Sequence, residues 1–264
     1  MKKLLCLCLA LLFTLCCGCG DKTDYYALLA EHSDFNCEGA QDVIFTIYYH
    51  NDTRLVQLEE TWGLREIAGE GDCLSQVLNL MHWLRSHTRK VSRGRFKGNL
   101  NAAEILEYAY GNKRDGLNCK LYSIALGEML IALGFDAKVL FCYPAEDKNE
   151  NHVVVRVYLW DEARWIMLDP SFDLYVMDEA GRILDAPELR KKLAERAPLR
   201  LNEGNVYGSG NYFDYMAKDM FYFQCRNEME FGGHDKADGW VYLLTAGSSV
   251  NGDALIATYD SFWR

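Results

Sequence analysis

Cys119, His152 and Asp169 are the residues of this chain whose types and surroundings favour chemistry. The segment that starts at Cys119 has the apolar spacing of a helix, so the thiol is expected at a helix N-terminus, where the helix dipole favours a thiolate. A thiolate is a nucleophile, and a nearby imidazole can hold the proton and later deliver it. A carboxylate on the far imidazole nitrogen fixes the tautomer and stabilises the cation. These residue types therefore indicate nucleophilic catalysis by cysteine.

A predicted helix and three predicted strands must bring these side chains together. The helix that starts at Cys119 is followed by a strand over 137–143, which is rich in β-branched and aromatic residues. Residues 152–160 and 164–169 are typical of two strands joined by a short turn. Side chains alternate along strands, so an even-length loop would place the histidine and the aspartate on one face of this hairpin. The spacing is compatible with a contact between them.

The rest of the chain indicates a mixed α+β protein. Helices are predicted over 73–86, after Asn101 and over 185–196, and their N-termini have Asp72, Asn101 and Asp185 as capping residues. The basic segment 88–98 is expected to be a solvated loop. Residues 197–264 are predicted to add strands, and their many aromatic side chains are expected to pack in the core.

The order of the motifs resembles a known family. The motifs are a Gly-x-x-Cys helix start, a Leu-Gly-Phe helix end, a His that opens a strand and a Trp-x-x-Leu-Asp-Pro strand end, at 116–119, 133–135, His152 and 165–170. This succession is similar to the core of the transglutaminase-like superfamily, which is related to the papain-like cysteine proteases. The resemblance covers about 100–175, and it leaves 176–264 without a motif.

This resemblance implies a papain-like fold in which a helical lobe packs on an antiparallel β-sheet. It also implies that Cys119 is the nucleophile, His152 the general base and acid, and Asp169 the carboxylate that orients the imidazole. The oxyanion of such a reaction needs donors, and the backbone N–H of Cys119 is one candidate. A second donor is sought upstream of the cysteine, with Asn118 the choice among Asn112, Lys113 and Asn118.

The first twenty residues have the pattern of an exported lipoprotein. Two lysines precede an apolar stretch of about fourteen residues, which is short for a membrane span but typical of a signal peptide. Small residues and cysteines end the stretch, which resembles a bacterial lipoprotein signal. We therefore predict a signal peptide over 1–18 and a lipid anchor at Cys19, with Cys17 as the alternative. An uncleaved anchor or a misread start codon is the other interpretation.

Composition limits the classes of partner. The chain has 264 residues and a net charge of −10, which becomes −12 once Lys2 and Lys3 leave with the signal. A chain without a global basic surface is a poor candidate for nucleic acid binding. Five cysteines lie beyond the anchor, and two interpretations stay open. Either four of them pair and one stays free, or all five are reduced.

The sequence therefore predicts one domain over 19–264 that faces outside the cytoplasm, at the cell membrane or the cell surface. The expected function is a membrane-anchored cysteine hydrolase, a peptidase or amidase, that acts on a peptide or protein through a thioester. One alternative is a true transglutaminase that crosslinks glutamine side chains to amines. The other is a catalytically silent lipoprotein that binds proteins or glycans. No metal site or cofactor is expected, because no ligand spacing or phosphate-binding motif is present.

Overall fold

The computed structural model describes residues 23–48, 52–93, 95–111, 116–146, 149–250 and 254–264. The predicted signal peptide, Cys17 and Cys19 lie outside the described residues, as do Asn112 and Lys113. Within these ranges the helices are α1 (Tyr25–Glu31), α2 (Thr53–Trp62), α3 (Leu64–Ala68), α4 (Cys73–His87), α5 (Ala102–Gly111), α6 (Cys119–Ala132), α7 (Ala186–Ala194), α8 (Tyr212–Asp219) and α9 (Tyr259–Trp263). The strands are β1 (Thr46–Ile47), β2 (Ala137–Tyr143), β3 (His152–Leu159), β4 (Arg164–Leu168), β5 (Val176–Met177), β6 (Arg200–Leu201), β7 (Tyr222–Arg226), β8 (Glu228–Met229), β9 (Trp240–Leu243) and β10 (Leu255–Ile256).

The main sheet of the described residues has the strand order β10-β9-β7-β2-β3-β4. Neighbouring strands are antiparallel, except that β9 and β10 are parallel. The hairpin of β3 and β4 lies at one end, and strands of the C-terminal segment extend the sheet beyond β2. The predicted α+β fold with a mostly antiparallel sheet is confirmed.

The sheet separates two hydrophobic cores, and successive side chains of β3 point alternately into one and the other. Val153, Val155 and Val157 pack with α2 to α6, which form the expected helical lobe. Val154 faces the opposite side, where it packs with α1, α7, α8 and α9. Because both faces of β3 are covered by helices, its residues are buried on both sides, with Tyr158 alone half-buried. The side chain of His152 shares the second face, two residues from Val154.

Helix α6 lies at the centre of the lobe. Its residues from Leu121 to Ala132 are all buried, which agrees with a helix that is apolar on every side. It ends as predicted before Gly134, whose φ of 88° is in the left-handed region. With 14 residues α6 is shorter than a bilayer is thick, and none of the helices in the described ranges is both long and apolar enough to cross a membrane.

Candidate active site

Cys119 is the first residue of α6, and two hydrogen bonds fix its surroundings. Asn118 Oδ1 accepts a hydrogen bond from the Leu121 backbone N–H at 3.0 Å, which makes Asn118 the N-cap. One turn further, Ser123 Oγ donates to the Val153 carbonyl at 2.8 Å and connects α6 to the start of β3. The N–H groups of the first helical turn have no partner inside the helix, so an anion is favoured here. The thiol therefore lies at the positive end of α6, beside β3.

Gly116 shapes the chain just before the thiol. Its φ of 68° lies in the left-handed region, and a Cβ at this position would lie 2.3 Å from the carbonyl oxygen of Arg89. The same carbonyl accepts a hydrogen bond from the Leu117 N–H at 2.7 Å. The start of the loop 88–98, predicted to be solvated, is therefore paired with the segment that leads to Cys119. The first glycine of the motif is needed both for its conformation and for its lack of a side chain.

We expect Gly116→Ala to lower the free energy of unfolding by about 1–3 kcal/mol, because the new Cβ requires a strained φ and a displaced Arg89 carbonyl. Displacing this segment should also slow the alkylation of Cys119. Gly111→Ala is the matched control, since a Cβ at that helix end meets nothing within 4 Å. Chemical denaturation and iodoacetamide labelling measure the two effects. Equal behaviour of the two variants would show that the conformation of Gly116 is not required.

His152 and Asp169 form a buried pair. Their Nε2 and Oδ2 atoms are 2.6 Å apart, and the residues are 1% and 0% exposed. In the β3–β4 register Val155 lies opposite Leu168, and four residues, 160–163, form the loop between the strands. This loop has even length, so the histidine and the aspartate lie on the same face. The structure brings together these two predicted site residues through the hairpin alone.

Further donors surround the carboxylate of Asp169. Its Oδ1 accepts hydrogen bonds from the Ser171 hydroxyl at 2.7 Å and from the Ser171 backbone N–H at 3.2 Å. Its Oδ2 also accepts from the Tyr212 hydroxyl at 3.1 Å. The backbone N–H of Asp169 donates to the Leu174 carbonyl at 2.8 Å, which closes a turn after β4. These contacts fix the carboxylate in the orientation that faces the imidazole.

The pKa values of Cys119 and His152 shift towards an ion pair. Burial raises the pKa of the Cys119 thiol, but the nearby His152 imidazole and the Val153 N–H lower it below its usual value. Burial lowers the pKa of His152, but Asp169 and the Cys119 thiolate raise it to about 10. Between these two pKa values the favoured form is a thiolate with an imidazolium. His152 Nδ1 is buried without a hydrogen-bond partner among the described residues, so it is the nitrogen left for the thiol and its substrate.

Aromatic residues from outside the motif surround the imidazole. The ring of Tyr215 meets the His152 ring edge-on at 5.0 Å, and Phe172 lies 6.1 Å away. Tyr207 packs on Phe172 at 4.6 Å, and Lys90 Nζ lies 3.9 Å from the centre of the Phe172 ring. An apolar wall of this kind limits water near the ion pair and strengthens its electrostatics. Within the aromatic segment that we predicted to be core, α8 thus supplies residues of the site.

Asp219, at the end of α8, is a second buried carboxyl group near His152. It is 1% exposed, and neither of its oxygens has a hydrogen-bond partner among the described residues. Burial raises the pKa of Asp219 to about 6, against the opposing effect of the His152 imidazolium. No sequence motif marks this residue, because it resembles any aspartate at a helix end.

The cysteines of the described residues are all free: Cys37, Cys73, Cys119, Cys142 and Cys225. This agrees with the interpretation in which all five are reduced. Cys142 lies opposite His152 in the register of β2 and β3, but burial raises the pKa of its thiol well above the usual value. Cys119 is therefore the better nucleophile of the two. Across the ranges that the structure describes, no group of three or more His, Cys, Asp or Glu side chains is arranged to hold a metal ion.

Comparison with known proteins gives one family match. Residues 63–170 match the family model of the transglutaminase-like superfamily. The match begins before the predicted core of 100–175, so it includes α3 and α4 as well as the Cys119, His152 and Asp169 positions. No curated protein matches the chain.

Among solved structures, the chain is similar to a candidate cysteine protease from Cytophaga hutchinsonii. The two share 12% sequence identity with a TM-score of 0.36, over 59% of this chain and 53% of the other. The chain thus spans about half the length of that solved chain.

Proposed function

We propose that this chain is a cysteine hydrolase that cleaves amide bonds, as a peptidase or amidase, and the match of residues 63–170 to the transglutaminase-like superfamily supports this. The observation that carries the proposal is the buried His152–Asp169 pair beside a thiol at the N-terminus of α6. The pair supplies a proton at Nδ1, and the helix terminus favours the thiolate. Cys119, His152 and Asp169 are the proposed catalytic triad.

In the proposed reaction the Cys119 thiolate attacks the carbonyl carbon of an amide. The C–N bond then breaks, the His152 imidazolium gives its proton to the departing amine, and the acyl group stays on sulfur as a thioester. Water next attacks the thioester while His152 takes up one of its protons, and the carboxylic acid leaves with the thiolate restored. Asp169 keeps the imidazole oriented in both steps.

The negative oxygen formed in each attack needs hydrogen-bond donors. The backbone N–H of Cys119 is suited to this because it belongs to the unpaired first turn of α6. Asn118 uses its Oδ1 as the N-cap of the same helix, which leaves its Nδ2 to donate. Asn118 therefore stays our predicted second donor.

We further propose that a lipid on Cys19 holds the enzyme at the membrane, outside the cytoplasm, where it acts on peptides or proteins. The support is the pattern of the first twenty residues, in which Gly18 and Cys19 follow the apolar stretch. Metabolic labelling with an alkyne fatty acid should mark the wild-type chain and fail to mark Cys19→Ala. Loss of the label in Cys17→Ala instead would move the anchor to Cys17.

Alkylation of Cys119 by iodoacetamide, followed by peptide mass mapping across a pH series, tests the proposed ion pair. The wild-type thiol should react fast at pH 6, where a free cysteine with a pKa near ~8.5 is almost entirely protonated. In His152→Ala the lowering effect of the imidazole is gone, while burial still raises the pKa of Cys119. The reaction should then need alkaline pH.

His87→Ala is the control, because His87 lies at the exposed end of α4, where its ring contacts Trp83 and no member of the proposed triad. If the wild-type thiol is labelled only above pH 8, Cys119 is not an activated nucleophile. That result would favour the alternative of a catalytically silent protein that binds proteins or glycans. If the ion pair is present, incorporation of a primary amine into a casein-like acceptor separates a transglutaminase from a hydrolase.

A further inference from the structure

A cavity of about 380 Å³ lies between α1, α7 and α9, on the sheet face opposite the helical lobe. Its walls include Phe35, Tyr259 and Trp263, and Arg190 of α7 lies among them. None of the residues that line it belongs to the proposed triad or to its aromatic wall. The cavity is therefore a separate feature of the molecule, and its chemistry does not depend on that of Cys119.

Arg190 brings a buried positive charge to this cavity. The residue is 5% exposed, its Nε donates to the Met220 carbonyl at 2.9 Å, and its Nη2 donates to the His32 carbonyl at 2.6 Å. These neutral acceptors hold the guanidinium in place but do not balance its charge. Among the described residues, no carboxylate forms an ion pair with it. Buried charges in proteins are ordinarily paired, so this one lacks its expected partner.

The guanidinium still has donors to offer. Nη1 donates to no acceptor of the described residues, and a guanidinium carries five N–H groups in a fixed fork. Burial lowers the pKa of Arg190 to about 10, so the group stays charged at neutral pH. A single anionic group could therefore be bound here by charge and hydrogen bonds together.

Aromatic side chains form the remaining walls. Phe35 and Trp263 are 7% and 9% exposed, and Arg190 Cζ lies 4.6 Å from the centre of the Phe35 ring. Trp263 Nε1 is buried without a hydrogen-bond partner among the described residues. At the rim, Lys191 and Glu195 face each other at 3.9 Å and largely cancel in charge. The cavity lining therefore combines the unpaired Arg190 guanidinium with apolar aromatic surface.

We propose that this cavity binds a small carboxylate with an aromatic or apolar body, with the carboxylate on Arg190 and the body between Phe35, Tyr259 and Trp263. A single carboxylate matches the one unbalanced charge, whereas a phosphate would bring more charge than these donors can balance. The volume of about 380 Å³ suits a small aromatic acid or one terminal residue of a peptide.

Titration of the full chain by calorimetry with 3-phenylpropionate and with its neutral amide tests the site. The acid should bind saturably, and the amide at least about tenfold more weakly, because only the acid can pair with the guanidinium. The Cys119→Ala background keeps any hydrolysis of the amide out of the measurement. Equal affinity for the acid and the amide, or no saturable binding of the acid, would overturn the proposal.

Three variants locate the binding. Arg190→Gln should weaken binding of the acid at least about tenfold, and Lys192→Gln, on the same helix but outside the cavity lining, should change the affinity less than about twofold. Since Arg190→Gln also removes donors from two backbone carbonyls, it can disturb the fold by itself. Ala194→Phe keeps the guanidinium and fills the cavity, so it should abolish binding in a protein that unfolds like wild type. Unchanged binding in Ala194→Phe would exclude this cavity as the site.

Discussion

Asp169→Asn is expected to lower the rate of amide hydrolysis by about 10⁴-fold while the protein stays folded. In the wild type, Asp169 Oδ2 accepts the hydrogen bond of His152 Nε2 and its charge stabilises the imidazolium. An asparagine has a similar shape but no charge, and its amide can donate to Nε2. This would place the imidazole proton on the wrong nitrogen for taking a proton at Nδ1.

The pH dependence of the same variant gives an independent readout. Asp169 is the largest influence that raises the pKa of His152, so this pKa falls from about 10 when the charge is lost. The Asp169 charge also raises the pKa of Cys119 directly, but His152 lowers that pKa more strongly. The net result of losing the imidazolium should be a thiol that ionises at higher pH. Activity and alkylation at pH 6 should therefore decline together.

Asp173→Asn is the matched control for this prediction. Asp173 lies on the same turn, its Oδ2 is 2.7 Å from Nδ1 of the exposed His82, and it is not among the groups that shift the pKa of His152. Its substitution should leave kcat/KM close to the wild-type value. Equal losses in both variants would mean that the turn, and not the Asp169 charge, is what matters.

The parts of the site that could be predicted are those set by local sequence. The N-cap at Asp72 fixes the start of α4, and the helix that opens at Cys119 ends before Gly134, because caps and left-handed glycines act over a few residues. The His152–Asp169 contact follows from the parity of a four-residue loop. Each of these rules needs only one element and its neighbour.

The rest of the site depends on packing between distant segments. Helix α8 brings Tyr212, Tyr215 and Asp219 to the imidazole, although it lies far along the chain from β3 and outside the family motif. Its place is set by the second core, on the face that carries Val154. Nothing in the local periodicity of 212–219 says which face of the sheet it covers. The burial of Arg190 could not be predicted from the sequence for the same reason, because the carbonyls that accept its hydrogen bonds are distant in sequence.

The second core also holds the ion pair that positions β3. Arg156 Nε and Nη2 donate to Asp185 Oδ1 and Oδ2 at 2.7 and 2.6 Å, and the two residues are 1% and 6% exposed. Arg156 Nη2 also donates to the Trp263 carbonyl at 3.1 Å. One guanidinium thus connects the strand that begins with His152 to α7 and α9. A bidentate pair of this kind is strong when intact and costly when broken.

Asp185→Asn should therefore lower the free energy of unfolding by about 3–5 kcal/mol, because it leaves the buried Arg156 guanidinium without a counter-charge. Asparagine can still cap the N-terminus of α7, so the loss reports the missing charge and not a missing cap. Asp72→Asn, at the exposed N-cap of α4, is the control and should unfold close to wild type in a denaturant series. The double variant Arg156→Met, Asp185→Asn should recover much of the loss, since it removes the unpaired buried charge while asparagine still caps α7. If Asp185→Asn unfolds at the same midpoint as Asp72→Asn, the pair does not stabilise the second core, and the position of β3 must come from apolar packing alone.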